Sequence, residues 1–310
     1  MKGIYTAGIC INRLFSLLLI VLAVPTTAEA GDRQIAVVKS SENSYFNQTI
    51  ETLIDQVDEH FSFRIFKTDT FDASDEILQE ADIIVTLGAR AASNIASQSP
   101  DQLVINAYLT LQQTEQFQHH KKNHIAVLLN QPLERYLAFS KLLLNLKTLG
   151  TMNRSAPVLT RRQEKIRQKL NLKLDPYQLG DTNKDLLVKL RQLIMKNEAL
   201  LMLPDQTIYN RDTLKGILLT TYRSRTPVIS YSPGHVKSGA LAAIYSSPVD
   251  IGRHIANLLN QHHKGRLNKK NRTIYAQYYS IETNQRVAHS LGLDLPGEEK
   301  IRQLVDEATK

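Results

Sequence analysis

The feature that most constrains this chain is the regular alternation of short apolar runs with helix-period segments. Gln34 to Val38 is a β-branched run, and Asn47 to His60 follows with apolar residues at helical spacing (Ile50, Leu53, Ile54, Val57). Phe63 to Phe66 alternates as a strand, and Ser74 to Gln79 suits a short helix. Asp82 to Leu87 reads as a strand buried on both faces, stopped by Gly88, with a helix from about Ala91 to Gln98. Gln102 to Asn106 and His124 to Leu129 add two further strands. A continuous apolar run has no polar side to turn to solvent, so such strands belong inside a parallel sheet covered by helices on both faces.

The second half repeats the pattern. Leu133 to Leu146 carries an apolar stripe, Thr148 to Asn153 is a weak strand, Thr160 to Leu170 a basic amphipathic helix, and Leu172 to Gln178 alternates. Thr182, with Asp185 three residues on, is expected to cap a helix reaching about Lys196. Strand Ala199 to Leu203, helix Thr207 to Ser224, strand Pro227 to Tyr231 and strand Gly239 to Tyr245 follow. Helix Asp250 to His262, a Tyr-rich strand over Thr273 to Ser280, and helical segments Thr283 to Leu291 and Glu298 to Ala308 complete the chain. Two successive α/β halves, each with a parallel sheet, predict two lobes rather than one continuous sheet. The first crossing is placed near Asn130-Gln131-Pro132. The expected division is residues 31–132 plus about 243–280 for lobe 1, and 133–242 plus about 281–310 for lobe 2.

The first 30 residues have another character. Lys2 and Arg13 precede the apolar run Leu14 to Val24, and Ala28-Glu29-Ala30 supplies a small-residue cleavage site. This is the layout of a secretory signal peptide, and the run is short for a membrane span. The chain is therefore expected to be exported. The single cysteine, Cys10, precedes the apolar run, so cleavage leaves no disulfide, thiolate nucleophile or cysteine metal site. The remaining chain carries 36 basic and 29 acidic residues. The positives are scattered, with clusters at Arg161 to Lys169 and Lys264 to Arg272 that lack interleaved aromatics; a solvated surface accounts for them better than a nucleic-acid partner.

Enzyme signatures are missing. No Gly-x-Gly-x-x-Gly follows a strand, and neither a phosphate-loop motif nor a Gly-x-Ser-x-Gly elbow occurs. His119, His120 and His124 lie in a polar segment without a nearby carboxylate, and loop histidines are the better reading. No enzyme activity, cofactor or metal is expected.

Strand-end turns in such folds are where ligands bind, because helix starts present backbone N–H groups there. The expected ligand-binding residues on the first lobe are Ser40 and Ser41, then Gly88, Ala89 and Arg90. On the second they are Asp205, Thr207, Tyr209, Tyr231 and Ser232. Each has a plainer use. Ser41 and Thr207 suit helix caps, Asp205 after Pro204 suits a turn, Tyr209 suits the core, and Arg90 suits a solvated charge or an anion anchor.

The stretches LLMLPDQTIYN, PVISYSPGHVKSGALAAIYSSPVDIGRHIANLL and VAHSLGLDLP, with ADIIVTLGARAASNIA in the first half, resemble the periplasmic substrate-binding components of ABC importers, most closely the group labelled tryptophan/tyrosine uptake. The resemblance implies the type I binding-protein fold, with two Rossmann-like lobes and a ligand cleft between them, a hinge of three crossing strands, a small-molecule ligand and, with the signal peptide, a location in the periplasm. Ala89 and Arg90 stand where that family usually offers Ser or Thr, and Gln131 to Leu146, with its Gln-Pro and following Arg135, resembles a short divergent branch rather than the classical amino-acid binders. The expected work is capture of an amino-acid-like or other small carboxylate ligand by a monomer, with delivery to an ABC permease. The alternative is a ligand-sensing partner of a membrane sensor or outer-membrane uptake system.

Overall fold

The computed structural model describes residues 33–70, 80–98, 101–111, 113–114, 123–154, 159–268 and 272–310. The signal-like segment, the expected helix Ser74 to Gln79 and the pair His119-His120 lie outside the described residues. The chain forms two six-stranded sheets.

The first sheet contains β1 (Arg33–Lys39), β2 (Phe61–Lys67), β3 (Ile83–Leu87), β4 (Leu103–Leu109), β5 (His124–Leu128) and β11 (Thr273–Tyr275). Its order is β11-β5-β4-β3-β1-β2, and every pairing is parallel. The second contains β6 (Thr148–Asn153), β7 (Lys173–Gln178), β8 (Ala199–Leu201), β9 (Val228–Ser230), β10 (Ala242–Tyr245) and β12 (Ser280–Thr283), in the order β12-β10-β9-β8-β6-β7. Setting aside the two late strands, each sheet runs 2-1-3-4-5, the doubly wound order with its switch point between the first and third strands.

Burial explains the order. The central strand β3 is buried at all five positions, as the apolar run predicts. β7 sits at an edge, carries Pro176 and is exposed or half-buried throughout, which is where a strand lacking one N–H is tolerated. Each sheet has a core on both faces. In the first, helix α1 (Ser44–Gln56) and the later helix α8 (Pro248–His263) cover one side, and α2 (Ala89–Gln98) covers the other. The α1–α8 contact needs Gly252: a Cβ there would stand 2.6 Å from the Thr49 carbonyl oxygen and 2.8 Å from Thr52 Cβ, and backbone cannot yield as a side chain can.

In the second lobe, α3 (Leu133–Leu144), α9 (Gln285–Leu291) and α10 (Glu298–Thr309) join one core, and Leu159 and Leu170, flanking α4 (Arg161–Lys169), pack against it. α5 (Leu186–Ile194) and α6 (Leu214–Arg223) join the other, and the short α7 (Pro233–Lys237) follows β9. The Thr160–Gln163 capping box starts α4, and Ser247 with Asp250 does the same for α8.

Four expectations need correction. Thr182 does not cap α5; Asp185 holds that position in a left-handed backbone (φ 63°) with no side-chain cap bond. Thr207 to Thr213 form turns, because Asp205 and Asn210 bind nearby backbone N–H groups before the helix begins at Leu214. The return to lobe 1 expected at about 243 comes later: β10 still pairs in the second sheet, and the passage follows at Ser246-Ser247. The Tyr-rich strand divides. β11 ends at Tyr275 in the first sheet and β12 begins at Ser280 in the second, antiparallel to β10, so the second sheet is parallel except at that edge.

Candidate functional site

The chain passes between the sheets three times: after β5 through residues 129–132, after β10 through 246–247, and between β11 and β12 through 276–279. In each case it leaves from the carboxyl end of a parallel strand. Both sheets therefore turn their carboxyl edges toward the passages, and the turns after β1, β3, β6 and β8 flank the two switch points there.

Ser40 and Gly88 form the first-lobe switch point. The Ser40 N–H donates to the Leu87 carbonyl at 2.9 Å, and Ser40 Oγ accepts from the Ala91 N–H at 3.0 Å, capping α2 from a different strand. Gly88 makes this approach possible. Its φ is +94°, and a Cβ would stand 2.6 Å from Ser40 Oγ and 3.1 Å from Phe46 Cζ. Ser41 is exposed and accepts from Asn43 Nδ2 at 3.2 Å. Asn43, not Ser41, caps α1. Ala89 is half-buried at the start of α2, and the mostly exposed Arg90 guanidinium pairs with the Asp69 carboxylate.

The sequence reading passed over two aromatics beside this turn. Phe46 on α1 meets Tyr108 edge-on at 5.1 Å, and the Tyr108 hydroxyl shares a 2.5 Å hydrogen bond with Thr49 Oγ1. Burial pushes the Tyr108 hydroxyl up to about 12, so it stays a neutral donor or acceptor. Its backbone is left-handed (φ 61°) at a β-bulge in β4, a local departure no periodicity announces.

The second-lobe switch point is organised by Arg154, also unforeseen. The Arg154 backbone N–H donates to Asp205 Oδ2 at 3.2 Å. Its guanidinium donates to Thr207 Oγ1 at 3.1 Å, to the Thr182 carbonyl at 2.9 Å, and to the Gly180 carbonyl and Asn183 Oδ1. Asn183 Nδ2 in turn reaches the Thr207 carbonyl at 2.9 Å. Asp205 Oδ1 accepts from both the N–H and the hydroxyl of Thr207, at 3.0 and 2.6 Å. One fork of donors thus ties together the turns after β6, β7 and β8. The signal was faint, since an arginine one residue past a weak strand looks like any surface cation.

Tyr209 and Tyr231 meet edge-on at 6.5 Å, and Tyr231 meets His235 at 4.9 Å. Tyr209 is buried in the lobe core with its hydroxyl donating to the Met152 carbonyl at 2.8 Å, so it backs the wall rather than presenting a face. Tyr231 is only partly buried; desolvation, with Asp205 nearby, raises its hydroxyl to about 12. His235 Nδ1 lies 2.7 Å from Ser230 Oγ, and burial lowers its pKa. Ser232 caps α7, accepting from the Gly234 N–H at 3.2 Å.

The three passages are bonded to one another. Gln131 is buried and donates through Nε2 to Ser246 Oγ at 2.5 Å. Arg135 donates to Gln131 Oε1 and to the Ala276 carbonyl at 3.1 Å, joining the first passage to the third. Its guanidinium lies 4.5 Å from the Tyr279 ring centre, and burial lowers its pKa without threatening its charge. Asp250 Oδ2 completes the set, accepting from Ser247 N–H and Oγ and from Ser280 Oγ at 2.7–2.9 Å.

Two doubly wound lobes thus have their switch points at the carboxyl edges from which three mutually bonded passages leave. The ABC transporter substrate binding protein family matches residues 73–305. The chain belongs to that family. Members of this substrate-binding family act outside the cytoplasm as a rule, and no helix among the described residues is long and apolar enough to cross a membrane.

Solved structures agree on the fold. The ligand-free, open form of a substrate binding protein with adhesive properties from Clostridium difficile superposes with a TM-score of 0.65 at 15% identity, over 86% of this chain and 97% of that one. An ABC domain from Streptococcus pneumonia in complex with L-Trp gives 0.51 at 18% identity, covering 87% and 98%. A conserved domain protein from Vibrio cholerae gives 0.53 at 17% identity, covering 88% and 98%. No curated protein matches this substrate-binding chain in sequence.

Proposed function

We propose that this chain is an exported solute-binding protein that captures a small ligand between its lobes by hinge closure and delivers it to an ABC permease. The observation that carries this reading is the pairing of two switch points, Ser40/Gly88 and Arg154/Asp205, at the carboxyl edges from which all three passages leave. The ligand class that fits is amino-acid-like or another small carboxylate. Ser40, Ser41, Gly88, Ala89 and Arg90 supply the first wall, and Asp205, Thr207, Tyr231 and Ser232 the second, with Tyr209 behind them. Backbone N–H groups and hydroxyls suit a carboxylate, Asp205 suits an amino group, and the Tyr231 ring suits an apolar or aromatic body. The neighbour solved with L-Trp makes that amino acid the first candidate to test.

A ligand present at about 100 times its Kd adds about 2.7 kcal/mol to the stability of the form that binds it. A thermal-shift screen of the mature chain against amino acids, small carboxylates, sugars and nucleosides should therefore give a clear upward shift with one class. The absence of a shift with every class would count against solute binding. The alternative partner is a membrane sensor, and it is motivated by Arg90, which stands in the first-lobe turn but is engaged by Asp69. A gene for a permease next to this one favours transport, and a gene for a sensor kinase favours signalling.

A further inference from the structure

Five of the eleven large apolar side chains exposed among the described residues lie on two neighbouring helices or at their ends: Leu187, Val188 and Met195 with α5, and Leu219 and Tyr222 on α6. Met195 is 85% exposed. The opposite sides of these helices already fill the lobe core through Leu186, Leu190, Leu193, Ile217 and Leu218, so these outer residues are surplus to folding. Leu187, Val188, Arg191 and Met195 recur at spacings of one, three and four, which places them on one face of α5 and its C-terminal cap. Lys215, Leu219, Tyr222 and Arg223 do the same on α6. The two faces join, because the Leu187 methyl groups lie 3.5 Å from the position a Cβ would take at Gly216.

Within the two helices the charge has one sign. Neither helix contains an Asp or Glu, whereas Lys189, Arg191, Lys215 and Arg223 lie within them. None of these four forms an ion pair among the described residues. Apolar side chains on two helices that carry cations and no carboxylate within them match the boundary of an anionic bilayer. There the hydrocarbon takes the apolar groups while lysine and arginine stems reach to the headgroups. A second copy of the chain fits poorly, since a two-fold interface would set this cationic face against itself.

We infer that the outer face of α5 and α6 seats the second lobe on an anionic phospholipid surface. This inference is independent of which ligand the lobes bind.

The test is co-sedimentation of the full mature chain with phosphatidylcholine vesicles, with and without about 30% phosphatidylglycerol, at low salt and at about 0.5 M salt. Binding is expected only to the anionic vesicles and is expected to fall away at high salt. Arg191→Gln should weaken it roughly fivefold, the share of one surface cation. Val188→Glu combined with Met195→Glu should weaken it more than tenfold, with the melting temperature unchanged to show that the fold survives. No binding to anionic vesicles overturns the inference, and so does equal binding by the double variant. A concentration-dependent dimer broken by the same double variant would assign the face to a second copy instead. Binding to polyglutamate without binding to vesicles would assign it to an acidic protein, and either result overturns the lipid reading.

Discussion

Gly88→Ala tests whether the first-lobe turn is built as described. The substitution brings two independent costs. An L-residue held at φ +94° leaves its allowed region, which costs about 1–2 kcal/mol. The new Cβ also stands 2.6 Å from Ser40 Oγ, so the serine must rotate and release the Ala91 N–H, at about 1–2 kcal/mol for a partly buried donor left unpaired. Together these predict a loss of about 2–4 kcal/mol, within the 5–15 kcal/mol typical of a folded domain, so the variant should fold. The melting temperature should fall by roughly 5–10 °C for a chain of this size. Ser40→Ala alone should cost about 1 kcal/mol. In the double variant the Ala91 bond is lost only once, so the combined loss should be smaller than the sum by about 1 kcal/mol. Urea and thermal unfolding of the four proteins would measure this cycle. A Gly88→Ala loss below about 0.5 kcal/mol, or strict additivity, would refute the contact between the two turns.

Two further outcomes follow from the passages and from α8. Arg135→Met removes the donor joining Gln131 to Ala276, and should destabilise the chain by about 1–3 kcal/mol. It should also broaden the distance distribution between spin labels placed at Glu51 and Lys165, one on each lobe, while an unchanged distribution would show that the bridge does not hold the lobes. His254 on α8 is buried, with Nδ1 accepting from the Gln277 N–H, and desolvation lowers it to about 4. Its folded pKa lies below the unfolded value of about 6.5, so the unfolded chain alone takes up this proton between those limits. Stability should therefore fall as pH drops from about 6.5 toward 4, by at most about 3 kcal/mol, and His254→Gln should flatten that part of the curve in urea unfolding.

The sequence by itself determined the architecture. Apolar runs such as Ile83–Leu87 and stripes such as that of Leu133–Leu144 state which faces avoid water, and their alternation leaves a parallel α/β sheet as the consistent solution. It also pointed to the turns at Ser40, Gly88 and Asp205, because strand ends and turn residues are local features. Tertiary structure decided which strand belongs to which sheet. Residues 273–283 look continuous in composition, yet β11 and β12 hydrogen-bond in different lobes. It decided that Tyr209 is buried beneath the second wall, and that Gly252 serves close helix packing rather than a turn. It also turned Arg154, Gln131 and Arg135 from ordinary polar residues into the ties of the site and the passages. Arg154 bonds partners 26 to 53 residues away, and Gln131 and Arg135 reach partners 115 and 141 residues away. A periodic pattern records how each residue meets water. It carries no record of which distant donor will meet which acceptor, and that is settled only when the packed sheets bring the carboxyl ends of their strands together.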